Sequence, residues 1–221
     1  MASIFISRQP KFTAIIQSTL ISFGHELISE SCIETQPIPF TLSETFDWVF
    51  FSSSEGVHHF ASQHRLPNLV KIGVMGSGTL RALPSEWKAQ FVGTSTDPSD
   101  VAAAFKSVVK ENEKVLFPVA KTSLKSISLP FPTHQTQHVV VYETKPVNKS
   151  IPPCALYVFS SPSNFNAFIS HHSVPASSLI VSFGPSTTAA IRAKGFEVTV
   201  EMKQIEEKNI ADTIMALIGS C

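Results

Sequence analysis

Charge is scarce in this chain and evenly matched: 15% of its 221 residues are charged, 17 of each sign, and Lys and Arg form no run. A polyphosphate partner needs a concentrated positive surface, so the composition argues against nucleic-acid binding. The missing cationic face argues equally against docking on a membrane surface. Cysteine is rarer still. Cys32, Cys154 and Cys221 form no Cys-x-x-Cys and no even framework, which suits a reducing compartment and reads as structural thiols. No apolar run approaches the ~20 residues that span a bilayer. The lysine of a phosphate-binding loop, the full spacing of a dinucleotide fingerprint and the Gly-x-Ser-x-Gly elbow are also missing. Nucleotide binding and serine-hydrolase chemistry therefore lack a motif. The expectation is a soluble, cytoplasmic protein with neither nucleic-acid nor membrane partners.

Near the N-terminus, Arg8 and Lys11 precede an apolar stretch from Phe12 to Phe23, the outline of a secretory leader. Its periodicity points elsewhere. Phe12, Ile15, Ile16, Thr19, Leu20 and Phe23 fall on one helical face, Gln17 and Ser18 lie opposite, and Gly24 is placed to end the helix. No small-x-small cleavage site follows, so the stretch is expected to belong to the fold, behind a buried strand at Ile4-Phe5-Ile6.

Short β-branched and aromatic runs then alternate with helical patterns, predicting strands at Ser3 to Ser7, Trp48 to Phe51, Val70 to Val74, Val115 to Phe117, Leu156 to Phe159 and Leu179 to Ser182. That alternation is the signature of βαβ units and parallel sheets. Asp97-Pro98-Ser99 opens a helix with Val101, Ala104, Phe105 and Val108 inward, and Ile210, Ile214, Leu217 and Ile218 mark the last one.

A repeat organises these elements. Sliding the chain by 108 residues sets Phe50–Leu83 over Val158–Ile191 without a gap, with 11 of 34 positions identical. Each copy carries a strand, Ser-Ser, a helix, a second strand and Gly-x-x-Thr. A weaker echo at 109 residues places Glu34-Thr35-Gln36-Pro37-Ile38 over Glu143-Thr144-Lys145-Pro146-Val147, behind Ile33 and Tyr142 respectively. Both echo segments contain Pro, which suits extended chain leaving a sheet edge. Lobes in series and interleaved lobes both fit a duplication, and two linkers favour interleaving, since a return crossing needs a second one.

The Ser-Ser pairs, Ser52-Ser53 and Ser160-Ser161, sit where open α/β sheets bind ligands, at carboxyl ends of strands and before helix N-termini that favour anions. Ordinary helix N-caps would explain the serines as well. Gly76-Ser77-Gly78-Thr79 and Gly184-Pro185-Ser186-Thr187 again link a strand to a helix. The paired histidines His58-His59 and His171-His172 diverge by about 100° on a helix and lack a carboxylate at ligand spacing, so they read as surface residues and no metal site is expected. Tyr142 ends the apolar run Val139-Val140-Val141. It is either an inward-facing core tyrosine or a phenol able to donate a proton to a leaving group.

Taken in order, Ile6-Ser7-Arg8, Asp47 through Ser53, Tyr142-Glu143-Thr144 with Pro146, Phe159-Ser160-Ser161-Pro162-Ser163 and Gly184-Pro185-Ser186-Thr187 resemble the uroporphyrinogen-III synthase family over most of the chain. The resemblance implies an α/β fold of two similar lobes, each a parallel sheet flanked by helices, interleaved and joined by two extended linker strands. One lobe would take residues 1–35 and 149–221 and the other 38–145, with linkers near 34–40 and 139–148. It further implies a cofactor-independent monomeric lyase of heme biosynthesis that binds the linear tetrapyrrole hydroxymethylbilane in an inter-lobe cleft. There it would release water to give an azafulvene, pass through a spiro intermediate and close the macrocycle with its last ring inverted.

Site residues carry over where positions match. Tyr142 would assist departure of the terminal hydroxyl, while Ser53, Thr79, Ser161 and Thr187 match cleft hydroxyls and Arg8 a basic residue near the first strand. Ser163 and Ser186, in the second-copy motifs, are expected to add substrate contacts. After Leu116-Phe117-Pro118 the family usually shows Gly or Arg, and this chain has Val119-Ala120, leaving Lys121 as the expected substitute. The second copy keeps Ser-Pro-Ser and Gly-Pro-Ser-Thr, so its lobe is expected to hold the substrate more firmly. Transient contact with the preceding enzyme of the pathway is a further expectation. A two-lobed small-molecule binding or sensing protein without turnover is the alternative.

Overall fold

The computed structural model describes residues 1–42, 44–95 and 97–219, so Cys221 lies outside the described residues. In chain order the elements are β1 (Ser3–Ile6), α1 (Ala14–Ser22), β2 (Glu26–Ser29), β3 (Ile33–Pro37), β4 (Trp48–Phe51), α2 (Ser54–Ala61), β5 (Lys71–Met75), α3 (Gly76–Arg81), β6 (Ala89–Gly93), α4 (Pro98–Val108), β7 (Val115–Ala120), β8 (Thr136–Pro146), β9 (Leu156–Phe159), α5 (Pro162–Ile169), β10 (Leu179–Phe183), α6 (Pro185–Arg192), β11 (Val200–Met202) and α7 (Glu207–Ile218). They divide into two compact units, Met1–Glu34 with Lys145–Cys221, and Thr35–Thr144. The chain thus leaves the first unit along β3 and returns to it along β8.

The discontinuous unit is a parallel sheet in the order β11-β10-β9-β1-β2. Its central strands read as continuous apolar runs because both faces are buried. Ile4, Ile6, Leu156 and Val158 point toward α1 and α7, while Phe5, Tyr157 and Phe159 point toward α5 and α6. On α1 only Ile16 and Leu20 are fully buried; Phe12, Ile15 and Phe23, assigned inward by periodicity, are more than half exposed. α1 covers one edge of the sheet beside α7, so a narrow stripe is all the sheet can receive.

The continuous unit has the order β3-β8-β7-β4-β5-β6, parallel from β8 through β6. The Ile38 N–H donates to Val141 O at 2.9 Å and the Val147 N–H to Cys32 O at 2.8 Å, which gives β3 the opposite direction to β8. α4 covers one face with Val101, Ala102 and Phe105, and α2 the other with Val57 and Phe60. Ala104 and Val108, expected inward on α4, are exposed; Ala102 and Val109 take their places.

The repeat reappears as β4-α2-β5-α3 and β9-α5-β10-α6. Gly76 and Gly184, equivalent in the two copies, have φ of 76° and 78°, the left-handed turn that lets each second strand enter its helix. β8 reaches well beyond the apolar run seen in the sequence, and its residues as far as Tyr142 pair with β7, so part of the segment read as linker is sheet. β2, β6 and β11 are short edge strands whose apolar residues are interrupted by polar ones, and they were not expected.

Candidate active site

One irregularity decides where Tyr142 points. Val119 pairs with Val140, yet the next residue of β7, Ala120, pairs with Tyr142, leaving Val141 as an extra residue in β8. Strict alternation would put Tyr142 on the α4 face with Val140. The bulge turns it over, so Val139, Val141 and Tyr142 all pack on the α2 side.

There the Tyr142 side chain meets the first turns of α2. Its hydroxyl lies 3.3 Å from Ser53 Oγ, which also caps the helix by accepting the Gly56 N–H at 3.1 Å. The phenol ring lies nearly parallel to the His59 imidazole, with centroids 5.1 Å apart and planes 21° apart. His59 Nε2 is 2.8 Å from Thr35 Oγ1, and that hydroxyl donates to Glu55 Oε2 at 2.7 Å. Tyr142 is 8% exposed. Burial pushes its phenol above the ordinary tyrosine range; the Ser53 hydrogen bond draws it back down and the Glu55 charge adds to the rise. The phenol is therefore held in its protonated form, the form that can donate.

The remaining expected residues of this unit are spread along the same carboxyl edge of the sheet. Thr79 is buried in α3. Lys121 follows β7, with its N–H bonded to Tyr142 O at 2.9 Å and its exposed ammonium 3.0 Å from Glu143 Oε2. A cavity of about 240 Å³ opens on the α4 side of this unit. Ser52 and Met75 line it, together with Phe117, Val119, Leu124 and His138. Lys125 in its rim is the one non-glycine residue with positive φ, 56°, among the described residues.

In the discontinuous unit the equivalent edge is more closed. Ser160, the counterpart of Ser52, is tied to the end of β1: its N–H donates to Ser7 Oγ at 2.8 Å and its hydroxyl to Ser7 O at 2.6 Å. Arg8 lies over the Phe183 ring, its Cζ 4.8 Å from the centroid, where the other unit has Met75 at the cavity. Burial lowers the Arg8 pKa and Glu207 partly offsets this. Ser161 caps α5 by accepting the Asn164 N–H at 3.2 Å, as Ser53 caps α2. Ser163 and Ser186 are exposed in the first turns of α5 and α6. Thr187 is 1% exposed and its hydroxyl donates to Phe183 O at 3.1 Å.

The structure thus gathers Tyr142 and Ser53 into one contact, puts Thr79 and Lys121 on the same sheet edge, and keeps Arg8, Ser161, Ser163, Ser186 and Thr187 in the other unit. Sequence reasoning missed His59, Glu55 and Thr35. His58 and His171 are exposed, as a surface reading requires, whereas His59 stacks on Tyr142 and His172 stacks on Phe168 and reaches Lys149 O at 2.7 Å. The available signal was the repeat itself, which sets His59 against Ala167 and Glu55 against Ser163. Among the described residues no helix is long and apolar enough to cross a membrane, and no group of three His, Cys, Asp or Glu is arranged to hold a metal ion.

Comparison with known proteins agrees with this architecture. Uroporphyrinogen-III synthetase from Helicobacter pylori superposes with a TM-score of 0.66 at 18% identity, covering 99% of each chain. A mutant uroporphyrinogen III synthase from the extremely thermophilic bacterium Thermus thermophilus superposes with a TM-score of 0.61 at 12% identity, over 99% of this chain and 100% of that one. At these identities the likeness speaks for the fold. No curated protein sequence matches the chain. The family model for uroporphyrinogen-III synthase HemD matches residues 15–212, nearly the whole sequence, and the chain therefore belongs to the uroporphyrinogen-III synthase family.

Proposed function

We propose that this chain converts hydroxymethylbilane to uroporphyrinogen III with Tyr142 as its proton donor. The observation that carries the residue assignment is the buried Tyr142 phenol, its hydroxyl 3.3 Å from the Ser53 hydroxyl that caps α2. The Tyr142 proton passes to the terminal hydroxyl of the substrate, the carbon–oxygen bond breaks, and water leaves as the adjacent pyrrole nitrogen supplies the electron pair. Spiro formation, fragmentation and reclosure then release one proton from the last ring, and that proton restores the phenol.

Binding is the larger share of the work. A substrate with eight carboxylates suits many modest donors, and each unit offers its own: the first-turn amides of α2 and the Lys121 cation in the continuous unit, and the first-turn amides of α5 and α6, the Ser161, Ser163 and Ser186 hydroxyls and the Arg8 cation in the discontinuous one. Arg8 keeps its planar face on Phe183 and can present its edge to a carboxylate. Lys121 must exchange Glu143 for a substrate carboxylate, so its contribution is smaller. Thr79 and Thr187 shape the turns around Gly76 and Gly184. Holding the chain so that the substituted carbon of the last ring attacks is an orientation effect, which supplies much of the rate without any further reactive group. The protein works as a cytoplasmic monomer that receives its labile substrate from the preceding enzyme by transient contact.

Replacing Tyr142 by Phe tests the assignment. The expected result is a fall in kcat of about 100-fold with KM little changed, the lower end of what a positioned general acid contributes. An unchanged kcat would remove Tyr142 from the chemistry.

A further inference from the structure

The contact between His59 and Tyr142 occurs in one copy of a duplicated unit only. At the equivalent places the other copy has Ala167 for His59, Ser163 for Glu55 and, by the linker echo, Ile33 for Tyr142. Both copies fold, cap their helices with Ser53 and Ser161, and pack Phe60 and Phe168 beneath them. The fold therefore does not require the polar set.

Its hydrogen bonds fix one proton. A carboxylate only accepts, so the Thr35 hydroxyl gives its single proton to Glu55 Oε2 at 2.7 Å. Thr35 Oγ1 is then an acceptor toward His59, and Nε2, at 2.8 Å, must be the protonated nitrogen. Glu55 Oε2 also lies 3.7 Å from Nε2. The imidazole is pinned at one edge while its face lies on the phenol. Resting on the reading of Tyr142 as proton donor, we propose that His59, held by Thr35 and Glu55, is a positioning residue that keeps the Tyr142 phenol against Ser53 in the orientation from which its proton leaves.

The charged groups around the pair are Glu55 on α2, and Glu143 on β8 with Lys121 after β7, the last two joined at 3.0 Å. Glu55 is thus the carboxylate aimed at His59. The imidazole face lies along the phenol ring, centroids 5.1 Å apart, so the ring that Thr35 holds in turn limits where the phenol can sit. His59 and Tyr142 would act as one unit in this arrangement.

The test uses the full chain with tyrosine carrying carbon-13 at Cζ, since there are two tyrosines and Tyr142→Phe assigns their signals. The other, Tyr157, is 1% exposed and accepts the Cys154 N–H at 2.9 Å. His59→Phe retains a flat ring but removes the Thr35 anchor. It is expected to lower kcat about five- to twentyfold with KM within about twofold, and to raise the alkaline midpoint of the Tyr142 signal by about half a pH unit or more as the Ser53 bond loosens. In a Tyr142→Phe background the same substitution should cost less than about twofold, because residues acting as a unit are not additive. Thr35→Val, which leaves the imidazole in place, should reproduce the effect in weaker form and serves if His59→Phe fails to fold. An unmoved Tyr142 titration, or an equal loss of activity with and without Tyr142, overturns the inference. A fully active Tyr142→Phe enzyme would instead sink the proton-donor reading, and the titration would still decide whether His59 positions the phenol.

Discussion

Acid should weaken the continuous unit through one carboxylate. Glu113 is 8% exposed and collects three donors at the amino-terminal edge of the sheet: Lys71 Nζ at 2.5 Å, Trp48 Nε1 at 2.9 Å and the Lys110 N–H at 3.0 Å. Burial alone would raise its pKa, but the Lys71, Lys110 and Trp48 bonds outweigh it and bring the value from 4.5 to about 2. A drop of about 2.5 units corresponds to roughly 3 kcal/mol at 1.36 kcal/mol per unit. The Lys71 side chain is 41% exposed, so solvent screening brings the expectation nearer 2 kcal/mol. Because the folded-state pKa lies below the unfolded one, this stability is fully present above pH ~4.5 and is lost as the pH falls toward ~2. Urea unfolding of the wild type and Glu113→Gln between pH 2 and 7 reads it directly, since the other carboxylates titrate in both proteins and cancel in the difference. The variant should be about 2 kcal/mol less stable at pH 7, and the gap should close by pH ~2. A gap that stays constant across this range, or is under about 0.5 kcal/mol at pH 7, would refute the reasoning.

Two glycines should fail for different reasons. Gly73→Ala places a Cβ 2.7 Å from Phe50 Cδ2 and 3.1 Å from Phe105 Cε2 in a closed core, and should cost about 1–3 kcal/mol in thermal or urea unfolding. Gly184→Ala meets nothing within 4 Å but must hold φ at 78°; about 1–2 kcal/mol is expected, together with weaker substrate binding as the α6 terminus shifts. Cys32 is 1% exposed and its thiol is pushed up to about 11, chiefly by burial, so at pH 8 a thiol reagent should label it only as fast as the unit opens. Ser161→Ala removes the α5 cap and should cost about 1 kcal/mol, read as a lower urea midpoint.

The sheets were readable because buried parallel strands are continuous apolar runs: Trp48–Phe51 and Leu156–Phe159 are found as expected from composition alone. Interleaving was readable from the echo around Thr35 and Thr144, and the family was readable because short motifs recur in a fixed order. Edge strands such as Val200–Met202 were not, since an edge buries one face and leaves little pattern. Helix faces were placed a residue or two off, as with Ala102 in place of Ala104, because periodicity does not say which part of a stripe the sheet covers.

The site was harder to read for a specific reason. Ser53 and Tyr142 could be named from sequence, but their meeting depends on the bulge at Val141, which no residue in Val139-Val140-Val141-Tyr142 announces. His59 followed from neither composition nor spacing. Only the folded chain shows that the strand carrying Tyr142 turns toward that face of α2.

The central claim is ring closure with inversion, and the most direct measurement is the isomer formed from freshly generated hydroxymethylbilane. Wild-type protein should give predominantly the inverted uroporphyrinogen III, faster than the substrate closes unaided. Formation of the uninverted isomer alone, at the spontaneous rate, would contradict the account.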